Sequence, residues 1–114
     1  MSQTEIETKI EHILIGHIGV DSGTVIVGDP GNLKEFVNDD FTSQPDPDQE
    51  QFDFSYNGAA QAAMVGGDVI GEFPHIPGAG MAVATGTAHG DGIYPVFHVV
   101  EDGKLVGLFV DFTP

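Results

Sequence analysis

The chain has no cysteine and no arginine, and only three lysines, Lys9, Lys34 and Lys104. Without cysteine there is no disulfide framework and no thiolate chemistry. With so few cations there is no phosphate-binding surface, because neutralising a nucleic-acid backbone needs Lys or Arg. Direct nucleic-acid binding is therefore not expected, and an anionic membrane surface is disfavoured for the same reason. Long hydrophobic runs are also missing. The longest apolar stretch, ILIGHIGV (Ile13 to Val20), is far too short to cross a bilayer. The start, MSQTEIETKIEH, lacks the basic and apolar regions of a secretory leader, so a cytoplasmic protein is expected.

What the chain does have is acid. Eighteen Asp and Glu give a formal net charge of −15. Such a charge repels itself in dilute buffer and is tolerated where salt screens it. Acidic excess with scarce lysine resembles the composition of proteins from salt-accumulating halophilic archaea. The 114 residues imply one domain, residues 1–114, and 40% of them are hydrophobic, with eight Phe among them, which is too apolar for a disordered acidic chain. Sixteen Gly and seven Pro suit short strands and turns better than long helices.

Residues 1–8 read as a polar lead-in. KIEHILIGHIGV (Lys9 to Val20) alternates loosely, as a strand does. SGTVIVGDPG (Ser22 to Gly31) holds a β-branched strand that Asp29-Pro30-Gly31 ends. Leu33, Phe36 and Val37 sit at helical spacing, which predicts a short helix near 32–38. The proline- and acid-rich segment 40–51 predicts an exposed loop and the most disordered part of the chain. QFDFSY (Gln51 to Tyr56) alternates as a half-buried strand, and Ala59 to Val65 fits either a short helix or a strand.

Segments 81–87, 92–100 and 104–112 predict a C-terminal antiparallel meander. Asp102-Gly103 between two apolar runs is a strong hairpin signal. A two-residue loop pairs Glu101 with Lys104, Val99 with Val106 and Phe97 with Leu108 on one face. On the other it pairs Val100 with Leu105, His98 with Gly107, and Tyr94 with Asp111. Both faces are largely apolar, so both should be covered. The expected fold class is mainly β with one or two short helices: a β-sandwich, a small barrel-like sheet, or a sheet covered by the helix and the long loop.

Four segments occur in a suggestive order: VDSGTVIVGDP (Val20 to Pro30), FPH (Phe73 to His75), GAGMAVATGTAHGDGIYPV (Gly78 to Val96) and GKLVGLFVDF (Gly103 to Phe112). Together they resemble a family of small uncharacterised bacterial, archaeal and phage proteins, over about half of the chain. The Gly-Asp-Gly-x-Tyr-Pro-Val block is the most specific element. Where the family pattern continues Asp-Pro with Cys-Tyr, this chain has Gly31-Asn32, so no role for that cysteine carries over. The resemblance implies a β-rich domain and supplies no catalytic residues.

The polar candidates for a binding site are Asp21, Asp29, His75, His89, Asp91 and Tyr94. Asp21 and Asp29 equally start turns or cap a helix. His75 lies between prolines in FPHIP, a rigid loop suited to a ligand or to acid–base work. His89-Gly90-Asp91-Gly92 is first a turn, with Gly90 and Gly92 as candidates for positive φ, and second a polar pair at a cleft rim. No metal motif, calcium loop, phosphate cradle or nucleophile elbow is present, and no cofactor is implied. Three functional readings follow: a non-enzymatic accessory or binding domain for a protein or small-molecule partner; a small hydrolase or metal-dependent enzyme built on His75, His89 and Asp91 with Asp21 or Asp29; and an acidic, phosphate-mimicking inhibitor of a basic protein.

Overall fold

β-branched and aromatic runs between glycine turns become strands, six among the described residues, which the computed structural model places in two antiparallel sheets. It describes residues 8–72 and 78–113. Strands take up 47% of the chain and helix only 15%, so the fold is mainly β with two short helices, as the punctuation of the sequence implies.

The small sheet has the order β2-β4-β3, from β2 (Thr24–Gly28), β3 (Asp68–Glu72) and β4 (Gly80–Gly86). Helix α1 (Tyr56–Met64) lies on one of its faces. Ser55 caps the helix, its hydroxyl accepting from the Gly58 N–H at 2.9 Å. Gly58 is required because a Cβ there would lie 2.0 Å from the Asp53 carbonyl oxygen. Ala59 and Ala62 of the helix meet Ala82, Ala84 and Ile70 of the sheet, with Phe52 closing the side. Alanines on both surfaces let helix and sheet approach closely, and among the described residues Ile70 is the one large side chain that is fully buried.

The long sheet has the order β1-β5-β6, from β1 (Ile10–Val20), β5 (Gly92–Glu101) and β6 (Lys104–Val110). Its hairpin turns at Asp102 and Gly103, with φ of 50° and 82°, the left-handed pair that an Asp-Gly hairpin uses. The backbone of Asp102 donates to the Lys9 carbonyl (2.9 Å) and its carboxylate accepts from the Lys9 N–H (3.0 Å), which ties β1 to the tip.

Several sequence expectations need correcting. The third member of the C-terminal sheet is β1, not segment 81–87: β4 pairs with β2 and β3 in the other sheet. The hairpin register holds for Glu101–Lys104 and Val100–Leu105, then slips by one at a bulge. Val106 is the extra residue, so Val99 pairs with Gly107, His98 with Leu108 and Phe97 with Phe109. Period-two reasoning carries no information about where one strand inserts a residue. Residues 51–56 do not form a strand. Val37 and Ser55 make one isolated bridge, and Phe52 reaches the sheet by accepting from the Gly71 N–H (2.9 Å). The helix expected at 32–38 is a 3₁₀ helix over Pro30–Glu35. Segment 40–51 is exposed, as expected, but it is pinned rather than loose. The Asn57 side chain accepts from Thr42 N–H (2.9 Å), and Gln61 donates to the Ser43 carbonyl (3.1 Å).

The largest departure concerns cover. Among the described residues, none packs as a second layer on either face of the long sheet. Ile10, Ile13, Leu14, Ile15, Ile93, Leu105, Val106, Leu108 and Phe109 are all exposed. The molecule is correspondingly elongated, 60 × 36 × 29 Å, with a radius of gyration of 17.1 Å. A compact chain of this length has about 13 Å.

Candidate functional site

The two sheets are joined at one place, where the chain crosses twice. Asp21-Ser22-Gly23 leads from β1 into β2, and residues 87–91 lead from β4 into β5. Val20 pairs with Gly92, so Asp21 and Asp91 flank a paired position. The Gly23 carbonyl accepts from the Thr87 N–H at 2.9 Å and fastens one crossing to the other. The Gly90 carbonyl gathers the Thr87 hydroxyl and the Tyr94 hydroxyl, the latter at 2.7 Å. Tyr94 is buried and packs edge-on against Phe112, 5.4 Å between ring centres. The Gly-Asp-Gly turn is therefore the second strap of a joint between sheets, and Tyr94 is its post.

The sequence candidates divide accordingly. Asp21, His89, Asp91 and Tyr94 come to this joint, the first three exposed. Asp29 stands at the other end of β2, where its carboxylate caps the 3₁₀ helix by accepting from the Gly31 N–H at 2.8 Å. His75 lies outside the described residues. Gly90 has a positive φ of 72°, but Gly92 does not. A Cβ at Gly92 would instead press on the Tyr94 ring at 3.2 Å. Tyr94 does not bond Asp111, because the slipped register sets Asp111 beside Pro95, whose carbonyl accepts from the Asp111 N–H at 3.1 Å. The Thr113 hydroxyl and N–H donate to the Asp111 carboxylate at 2.6 and 2.9 Å and hold its pKa below the usual carboxylate range. His98 faces Leu108 and Ile13 rather than a glycine. Among the described residues, no three His, Asp or Glu side chains gather closely enough to hold a metal ion.

A groove elsewhere has more of a site's character. It opens over the β3 side of the small sheet, has a volume of about 520 Å³, and is walled by Phe52, Phe54, Val69 and Met81. Five carboxylates, Glu35, Glu50, Asp53, Asp68 and Glu72, line it. Among the described residues the one ion pair is Lys9–Glu11, at the far tip of the other sheet, so no lysine neutralises the groove. Glu72 and Gly78, which flank the segment holding His75, both line it. A shallower depression beside it shares Val69, Ala79 and Met81 and runs on to Val27 and Asp29, so Asp29 does border this surface. An apolar floor ringed by unpaired acids fits a ligand that is cationic at its ends and apolar along its body.

None of the five carboxylates is singled out by sequence, because they come from three segments that only folding brings together.

Comparison with family models, with curated proteins and with solved structures finds no match to this chain. Among the described residues no helix is long and apolar enough to cross a membrane.

Proposed function

We propose that this protein is a non-enzymatic binding domain whose groove takes a basic segment of a protein partner or a small organic cation. The observation that supports this most is the set of five carboxylates around an apolar floor with no lysine against them. Attraction to a cation falls with salt, while contact with Phe52 and Met81 does not, so binding should weaken without vanishing in molar NaCl. The test is calorimetric titration with a short lysine- and leucine-containing peptide. Replacing Asp53→Asn together with Glu72→Gln should weaken binding at least tenfold while leaving the far-ultraviolet dichroism unchanged. Equal affinity of the double variant and the parent would sink the reading.

The phosphate-mimic reading draws on a different observation. Twelve of the eighteen acids lie between Asp21 and Asp91, with Lys34 the one base among them. That end of the molecule would meet a nucleic-acid-binding protein as a block of negative charge. Competition with DNA for such a protein separates it from a groove ligand, since the double variant removes only two of the twelve charges. The enzyme reading draws least support, with Asp21, His89 and Asp91 on exposed turns of the joint.

A further inference from the structure

We infer that the long sheet is a self-association surface: copies of this chain cover one another's β1-β5-β6 faces. The argument starts from charge. Residues 12–20, 92–100 and 105–110, nearly the whole sheet, contain no Asp, Glu, Lys or Arg, although the chain as a whole carries −15. Two copies with that charge can meet stably only through a surface with none of it. A partner chosen by opposite charge would find nothing on this sheet to recognise.

Area leads to the same conclusion. Nine large apolar side chains on the sheet are 40 to 75% exposed. They are divided between the two faces, on the order of 400 Å² on each, which is the size of the largest, often functional, apolar patch of a typical monomer and about half of one partner's share of a standard protein interface. Each face is also built to pack. His12, Phe97 and Phe109 form one cluster, with ring centres 5.4 to 6.3 Å apart. Ile13, His98 and Leu108 line up across the three strands on the opposite face. A second sheet stacked about 10 Å away would convert these half-exposed rows into an interior. The acidic end does not obstruct this, because the 60 Å length of the molecule carries the sheet away from it.

The test is the mass in solution of the full chain, by light scattering or sedimentation, from micromolar to hundred-micromolar concentration in low and molar NaCl. The wild type should have at least twice the 12.0 kDa monomer mass, and more fully so in molar salt, where repulsion between acidic ends is screened. Leu108→Glu, at a side chain 52% exposed in the single chain, should shift the protein to monomer mass with its dichroism retained. Leu33→Glu, at a leucine 64% exposed on the 3₁₀ helix, should leave association intact. If Leu108→Glu does not fold, Leu105→Glu, 62% exposed on the same face, serves in its place. A wild type that stays monomeric at the highest concentration in molar salt overturns the inference, as does an oligomer that survives both glutamates. Monomer that partitions onto neutral phosphatidylcholine vesicles overturns it in favour of a lipid surface. None of these outcomes depends on whether the groove binds a cation.

Discussion

The two sheets of this protein are built from similar residues and kept in opposite ways. The small sheet has a helix on one face, a buried core and most of the acid of the chain around it. The long sheet has more strand residues, no helix, charge only at its hairpin end, at Glu11, Glu101 and Lys104, and both faces left open by the described residues. Burial inside one chain is therefore concentrated where the side chains are small, at Ala59, Ala62, Ala82 and Ala84, while the larger leucines and isoleucines of β1 and β6 stay exposed. Apolar surface left uncovered at this scale is a contact waiting to be made. The comparison teaches that the fold of one chain and the burial of its apolar residues are separate questions here.

The sharpest way to break the comparison is a matched pair of truncations. Ile70→Ala removes a fully buried large side chain, the one such among the described residues, and should lower stability by about 2–5 kcal/mol in denaturant titrations. Leu105→Ala, at a side chain 62% exposed, should change monomer stability by less than about 1 kcal/mol, because little area leaves water when it folds. Equal losses in monomer would mean that the long sheet is packed within the chain after all.

Salt should act mainly on the acidic half. With twelve acids against Lys34 between Asp21 and Asp91, a Debye length of about 3 Å at 1 M salt relieves repulsion that low salt leaves in place. The melting temperature should rise by several degrees from low to molar NaCl. A flat curve counts against repulsion as a limit on stability and against reading the composition as salt adaptation.

A smaller effect is expected at the start of α1. Ser55→Ala deletes a buried cap on the Gly58 N–H and should cost about 1 kcal/mol in thermal melts. A neutral result would mean that water replaces the hydroxyl and that the cap contributes nothing.

The smallest effect belongs to the end of the long sheet. Asp111 has its pKa lowered by the Thr113 hydroxyl and N–H. Its ionised form is favoured in the fold, so its contribution is present at neutral pH and is lost as pH falls through that lowered value. Thr113→Ala removes the hydroxyl donor and should raise the Asp111 pKa toward the ordinary carboxylate range, read by carboxyl-carbon NMR. An unmoved titration would show that the backbone N–H alone sets it.

The sequence by itself determined a good part of this protein, and the parts share a cause. Strand content, the Asp102-Gly103 hairpin, the β2 strand ended by Asp29-Pro30 and the exposed acidic segment all follow from residues within a few positions of one another, where dihedral preference and two-residue periodicity act. The helix over Tyr56–Met64 stayed ambiguous with a strand because Ala, Gln and Met pattern neither period strongly. Only the tertiary structure decided how the strands were shared between sheets. It set β1 beside β5 and slipped β6 by one residue at Val106, since pairing over long separations depends on packing that no local pattern encodes. It also decided the sites. The crossing that holds the Gly-Asp-Gly turn became a strap between sheets because the Gly23 carbonyl of the other crossing accepts from Thr87 and the Tyr94 hydroxyl donates to Gly90, and the five carboxylates became one groove because three separate segments converge. The absence of charge from most of the long sheet is written in the sequence. That the described residues leave this sheet open is not, because which layer packs on which is settled by where the whole chain can close.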